Sequence, residues 1–337
     1  MIGSGAIVNY ELISKVLPLS LTFESTLDLA SILNRQLNNS SILPLESGPL
    51  SGSIQIIRFP NIVVNLIKTS KKIAICADRS SNITTFSVDL SAPSLSSPIM
   101  AQGVNITRPS IFGFNSSLKD LDLHLDNCSE LCSIIVSSTY LSSFFQKYNL
   151  YNLSDIFDRY NVFSSNSVHF RLVPLLKSLF SVPYDQHLLK LENLENDIMS
   201  LIVECFLDDI ETDFDLAIDR KERHQAALRL LSTASLNNGQ PLEIQDLSEL
   251  LHQSRTSIFN GCKEKFGMSP VEVVRSVRLH QVRHALINTE FCKKHDLNGV
   301  VEIADYFGFA SRSHFSRYYK KHFSETPRET LASRRYA

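Results

Sequence analysis

The chain has 337 residues, 43% apolar and 20% charged, enough to bury an ordinary core in about two domains of ~100–200 residues. Its formal net charge of −2 argues against a general polyanion binder, whose affinity depends on how many phosphates it neutralises. No apolar run approaches the ~18 residues that span a bilayer, and Met1 to Leu12 lack a cationic start followed by an apolar stretch. A cytoplasmic protein without membrane association is expected.

Residues 1–50 are polar and Ser/Asn-rich, with one apolar helical stretch near Leu27 to Leu37 and a turn-rich segment from Pro44 to Gly52. From Ser53 the texture changes to short β-type runs, among them Ile54-Gln-Ile-Ile-Arg-Phe, Ile62-Val-Val-Asn-Leu-Ile, Lys72-Ile-Ala-Ile-Cys and Asp122-Leu-His-Leu. Turn residues separate these runs at roughly 8–12 residues, the spacing of a sandwich or small barrel, so residues 50–137 read as an antiparallel β domain. His124 is the only histidine before His169, too few for a metal-dependent barrel enzyme.

Helical periodicity takes over at 139–207. Leu191, Leu194, Ile198, Leu201 and Cys205 recur with 3-4-3-4 spacing on one stripe of a helix over about 187–207. That stripe either packs on its own β domain or forms a short dimerisation helix. The acidic run Asp208-Asp-Ile-Glu-Thr-Asp-Phe-Asp215 follows and suits a solvated linker over 208–219. A new helix begins near Leu216 and stops before Asn237-Asn-Gly-Gln-Pro241.

The last third carries two copies of one pattern. In the first, over about 241–266, Ile244, Leu247, Leu250 and Leu251 form the buried face of a support helix, His252 and Gln253 make the turn, and Ser254 caps the next helix. Ile258 and Phe266 face the core, leaving Arg255, Thr256, Asn260 and Lys263 elsewhere on that helix. In the second, over about 299–323, Val300, Ile303, Ala304 and Phe307 form the support face, Gly308 permits the turn and Ser311 caps. Phe315 and Tyr319 are buried there, and Arg312, Ser313, Ser316, Arg317 and Lys320 point outward. One such helix pair is weak evidence, but two copies 57 residues apart, Ser254 to Ser311, predict tandem helix-turn-helix units and double-stranded DNA as the partner. The charge agrees: from residue 240 onward 15 Lys and Arg face 11 Asp and Glu, against 18 and 24 in residues 1–239.

Gly308-Phe-Ala-Ser-Arg-Ser-His-Phe-Ser-Arg-Tyr-Tyr-Lys-Lys-His-Phe-Ser-Glu-Thr-Pro327 resembles the second motif of the AraC/XylS transcriptional regulators, and Phe266-Gly-Met-Ser-Pro270 with Arg278-Leu279 resembles the end of their first motif and the joining helix. The likeness covers about residues 220–335. Ser324 stands where the family usually has Gly, and Gly261 interrupts the first recognition helix at about 1 kcal/mol of helix propensity relative to Ala. The resemblance implies two recognition helices held in successive major-groove segments by a connecting helix over 270–287, roughly 27 Å long at 1.5 Å per residue. It assigns Thr256, Phe259 and Asn260 to base-facing sites of the first helix, and Arg312, Ser313, Ser316 and Arg317 to those of the second. Phe259 is open to thymine-methyl contact or simple packing, and Arg317 to base contact or a phosphate clamp. Asn238-Gly-Gln-Pro-Leu242 and Arg278-Leu-His-Gln-Val-Arg-His-Ala-Leu286 are similar to the subgroup of the ethanolamine-operon regulator.

Enzymatic alternatives find no support in motifs: no Gly-x-Ser-x-Gly elbow, phosphate-cradling glycine loop, dinucleotide fingerprint or His-Glu-x-x-His occurs. The six cysteines read as reduced buried thiols, and Cys128-x-x-x-Cys132 lacks the nearby ligands of a zinc site. His280 and His284, four apart in the connecting helix, read as solvated or phosphate-adjacent. No cofactor is expected.

The expected fold is therefore α+β. A β-rich N-terminal regulatory domain with a helical extension occupies 1–207, a linker 208–219, and an all-α DNA-binding domain 220–337. The expected function is sequence-specific transcriptional regulation, and the resemblance implies an activator that contacts RNA polymerase. The N-terminal domain would sense a small-molecule effector or mediate homodimerisation. The rival reading is a ligand-binding or interaction module whose helical C-terminus binds a protein.

Overall fold

The structure, a computed structural model, describes residues 19–92, 98–107, 109–127, 129–181, 191–207, 213–215, 221–237 and 244–333. Thirteen described strands form two antiparallel sheets: β1 (Leu19–Phe23), β2 (Asn38–Pro44), β3 (Gly52–Arg58), β4 (Ile62–Thr69), β5 (Ile73–Asp78), β6 (Ile83–Asp89), β7 (Met100–Ala101), β8 (Val104–Asn105), β9 (Ser110–Phe112), β10 (Asp120–Leu125), β11 (Glu130–Ser137), β12 (Val162–Ser164) and β13 (Asp213–Asp215). The larger sheet runs β1-β3-β4-β11-β6-β9-β12-β13, the smaller β2-β5-β10-β7-β8.

Side chains alternate across each strand, so each sheet has two faces to bury. Between the sheets lie Ile54, Ile67, Ile75, Leu123 and Leu131, closed at one end by α1 (Thr26–Leu33), whose Ser25 side chain caps the Asp28 amide. The outer face of the larger sheet, including Val64, Phe86 and Ile134, is covered by α2 (Ser138–Tyr148), α3 (Tyr151–Arg159), a π turn at Val168–Leu172, α4 (Val173–Ser181) and α5 (Leu191–Leu207). Phe86, Phe114, Phe157 and Phe206 meet there with ring centroids 5.1–6.4 Å apart.

Three sequence expectations change. The β domain extends beyond 50–137: β1 and β2 come from the polar segment before it and β12 and β13 from after it, because strand pairing satisfies backbone groups whatever the side chains are. The acidic linker contains β13, added at the sheet edge beside β12, where charged side chains are tolerated. The apolar stripe of α5 belongs to the core: Ile198 and Cys205 are buried, and Leu194 and Leu201 pack against the same cluster. Leu191's side chain, Cys128 and residues 238–243 lie outside the described residues.

The remaining helices are α6 (Glu222–Leu236), α7 (Ile244–Leu250), α8 (Arg255–Phe266), α9 (Pro270–Ile287), α10 (Thr289–Lys294), α11 (Val300–Tyr306), α12 (Arg312–Phe323) and α13 (Pro327–Ser333). None of the described helices is long and apolar enough to cross a membrane.

Candidate nucleic-acid interface

Each recognition helix starts where its serine places it. Ser254 Oγ accepts the Ser257 amide at 3.1 Å, and Ser311 Oγ that of His314 at 3.4 Å, satisfying first-turn N–H groups that have no helical partner. The turns ahead of them use left-handed backbone at His252 (φ 50) and Gly308 (φ 79). Inward faces are Ile258, Cys262 and Phe266 on α8 and Phe315, Tyr319 and Phe323 on α12. Leu247 and Leu251 support α8 from below, but Leu250 is 59% exposed, contrary to its expected burial: Leu251, just past the helix, takes the core position instead. The side chain of Ile244 is outside the described residues.

All ten residues expected to read DNA have solvent-facing side chains: Arg255, Thr256, Phe259, Asn260 and Lys263 on α8, and Arg312, Ser313, Ser316, Arg317 and Lys320 on α12. Phe259, at 47% exposed, does not pack in the core.

Gly261 has a packing reason that the sequence did not reveal. A Cβ there would stand 1.9 Å from the Arg223 carbonyl oxygen, so α6 crosses α8 backbone to backbone. Arg223 Nε and His224 Nε2 both reach the Glu264 carboxylate, at 2.8 and 3.0 Å, across the same crossing, and hold its carboxyl below the usual range.

The units are joined by α9, whose bounds match the expected 270–287. It opens with Pro270 and a reciprocal capping box: Ser269 Oγ accepts the Glu272 amide, and the Glu272 carboxylate accepts from Ser269. Those bonds, from the Ser269 backbone first, hold the Glu272 carboxyl at about 2. At the far side the Arg275 guanidinium lies 4.2 Å from the Tyr318 ring centroid, and Arg317 lies 5.6 Å from the same ring. Arg275 and Tyr318 thus tie the connecting helix to α12, a role that spacing alone did not suggest.

The two α9 histidines correct the reading of solvated groups. His280 is buried, with Nε2 3.1 Å from Nε2 of His322 and its ring against Phe323; burial, then the neighbouring His322, pushes its pKa well down. His284 is partly buried and meets Ser25 Oγ at 3.0 Å and Asp28 at 3.6 Å. Helix periodicity puts both residues on one face, but only packing against α12 and α1 shows that the face is inside.

A second feature lies in the sandwich. Between the sheets is a cavity of about 70 Å³ walled by Leu37, Ile75, Leu121 and Leu123 on one side and by Asn65, Thr85, Ser87, Ser133 and Asn161 on the other. Asn161 is 0% exposed, yet both side-chain polar atoms lack a protein partner, as does Asn65 Oδ1. Arg79 reaches the same end, donating to the Gly113 carbonyl at 2.9 Å, with burial lowering its pKa to about 10. The described residues contain no cluster of three or more His, Cys, Asp or Glu positioned for a metal.

Residues 247–333 match a family model described as a helix-turn-helix domain. Over 101 residues the protein is 30% identical to the HTH-type transcriptional activator RhaS of Yersinia pestis (strain Pestoides F), a match covering 30% of this chain and 34% of that relative. The chain thus spans about a third of the length of that relative. Solved structures include a Chromobacterium violaceum regulator of AraC-type DNA-binding domain (29% identity, 33% of this chain, 92% of that one, TM-score 0.29) and ToxT from Vibrio cholerae (14% identity, 94% and 98%, TM-score 0.29). The relatives so named are a transcriptional activator and a transcriptional regulator.

Proposed function

We propose that this protein is a sequence-specific DNA-binding transcription regulator in which α8 and α12 enter successive major-groove segments of one duplex. The observation that carries the reading is the pair of serine-capped recognition helices, each with its polar and cationic side chains turned to solvent and both fixed to α9. Arg317 and Arg312 suit guanine O6/N7, Asn260 suits adenine, Phe259 suits a thymine methyl, and Lys263 and Lys320 suit phosphates.

The sandwich cavity is read as the effector site. The orphaned Asn161 amide group and the unpaired Asn65 Oδ1 call for a hydrogen-bonding ligand, and the Arg79 guanidinium at the same end favours one with an anionic group. The sign of regulation is taken as activation, as in the named RhaS relative, with RNA polymerase as a partner and a homodimer as the assembly. Within the family, the sequence of Arg278 to Leu286 supports the ethanolamine-operon subgroup.

The test is binding of the full chain to the DNA upstream of its own and neighbouring genes across a salt series. Affinity should fall steeply as salt rises, with log K against log salt sloping by about −0.9 per phosphate contact. Indifference to both DNA and salt would favour the protein-binding reading of the C-terminal helices instead.

A further inference from the structure

The outer face of the smaller sheet is covered by α6 and, at the end of α8, by the first helix-turn-helix unit, and the strands that carry these contacts are also a wall of the cavity. Along β10, Leu121 and Leu123 line the cavity while Asp122 and His124 point the other way. Asp122, 1% exposed, holds the ammonium of Lys265, 6% exposed, at 2.7 Å, and the His124 ring stacks on Phe266 with centroids 6.1 Å apart. Along β5, Ile75 lines the cavity, whereas Ala74 and Cys76 join Leu43 of β2 in one cluster with Ala227, Leu231, Ile258 and Cys262. Lys265 and Phe266 are the last two residues of α8.

The second unit is built otherwise. Its core gathers Leu279, Leu286, Ile303, Phe315, Tyr319 and Phe323, and among the described residues no side chain of the N-terminal half belongs to it. The N-terminal half reaches α12 through a backbone bond, Gly48 N–H to the His322 carbonyl at 2.7 Å.

We propose that β5 and β10 transmit the state of the cavity to the first helix-turn-helix unit and not to the second. Adjacent residues of a strand point to opposite faces, so a molecule seated against Leu121 and Leu123 shifts Asp122 and His124 with them. A buried ion pair cannot part without stranding both charges in apolar surroundings, so Lys265 follows Asp122 and the end of α8 moves. The effector thereby changes how firmly the first recognition helix is held, and with it the bias between DNA-competent and incompetent arrangements. This rests on the cavity being the effector site; Asp122 is a positioning residue and touches no DNA.

Hydrogen exchange of the full chain without DNA tests the coupling. Two cavity-filling variants replace the unidentified ligand: Ala101→Leu, on β7 directly opposite Leu123, and Ile135→Phe, on the other sheet. Either variant should change amide exchange in α8 by about tenfold, the scale of coupling between contacting groups, while α12 stays unchanged. In the background Asp122→Leu with Lys265→Met, which removes both charges together and leaves the His124–Phe266 stack in place, the same fillings should shift α8 exchange less than in the parent. Unchanged α8 exchange in folded cavity variants, or equal shifts in α8 and α12, would overturn the proposal. Absence of DNA binding would instead remove the regulatory reading, and the exchange result would still decide whether the coupling exists.

Discussion

Aligned at their capping serines, the two helix-turn-helix units differ at three positions that matter. Gly261 of the first corresponds to Tyr318 of the second, Lys265 to His322, and Gly267 to Ser324. The first unit takes α6 against its recognition helix and a buried sheet contact at its end; the second encloses itself with α13, where the Tyr319 hydroxyl meets Thr330 Oγ1 at 2.8 Å. Two copies of one motif have thus become one docked on the sheet through buried side chains and one whose apolar core closes on itself. The same exposed reading face sits on different foundations.

The sharpest way to break this contrast is at the equivalent helix ends. Lys265→Met leaves Asp122 charged and buried without its partner, and should cost about 3–5 kcal/mol of stability in urea unfolding. The exposed neighbour of the equivalent position, Lys321→Met, should stay within about 0.5 kcal/mol. Equal losses would mean that the docking contact is not specific to the first unit.

The next contrast concerns reading. Arg317→Ala should lose about 1–3 kcal/mol of affinity for the preferred site and relax base choice there, whereas Lys263→Ala should weaken all sequences alike and lower the salt slope by about one. Competition binding against single-base operator variants separates the two, and identical profiles would show the assigned roles to be wrong.

Gly261→Ala comes next. Propensity alone favours Ala by about 1 kcal/mol, but the new methyl meets backbone that no rotamer change can clear, so a net loss of about 1–3 kcal/mol is expected on thermal unfolding. A stabilised variant would show that α6 does not approach so closely. The smallest effect is at Ser324, which holds φ +62 at the helix end where Gly267 holds +70. Ser324→Gly should raise stability by about 1 kcal/mol, and Gly267→Ala should lower it by a similar amount.

Much of the interface was legible because its signals are local. Capping serines, the buried positions of α8 and α12, and the bounds of α9 depend on residues within one or two turns of each other. Leu250 escaped because a 3.6-residue period assigns a face but not the residue at its margin. His280 escaped because the residue that buries beside it, His322, is 42 positions away. β2 and β13 escaped because their polar and acidic sequences give no strand pattern, and pairing partners supply the reason.

The sequence by itself determined that two helix-turn-helix units stand in tandem, which of their side chains face outward, and that a β-rich region with a helical extension precedes them. Those properties follow from periodicity and capping, which act over a few residues. Only the tertiary structure decided that the first unit rests on the sheet that walls the cavity, because Asp122 and Lys265 lie 143 residues apart and nothing local marks either as half of a buried pair.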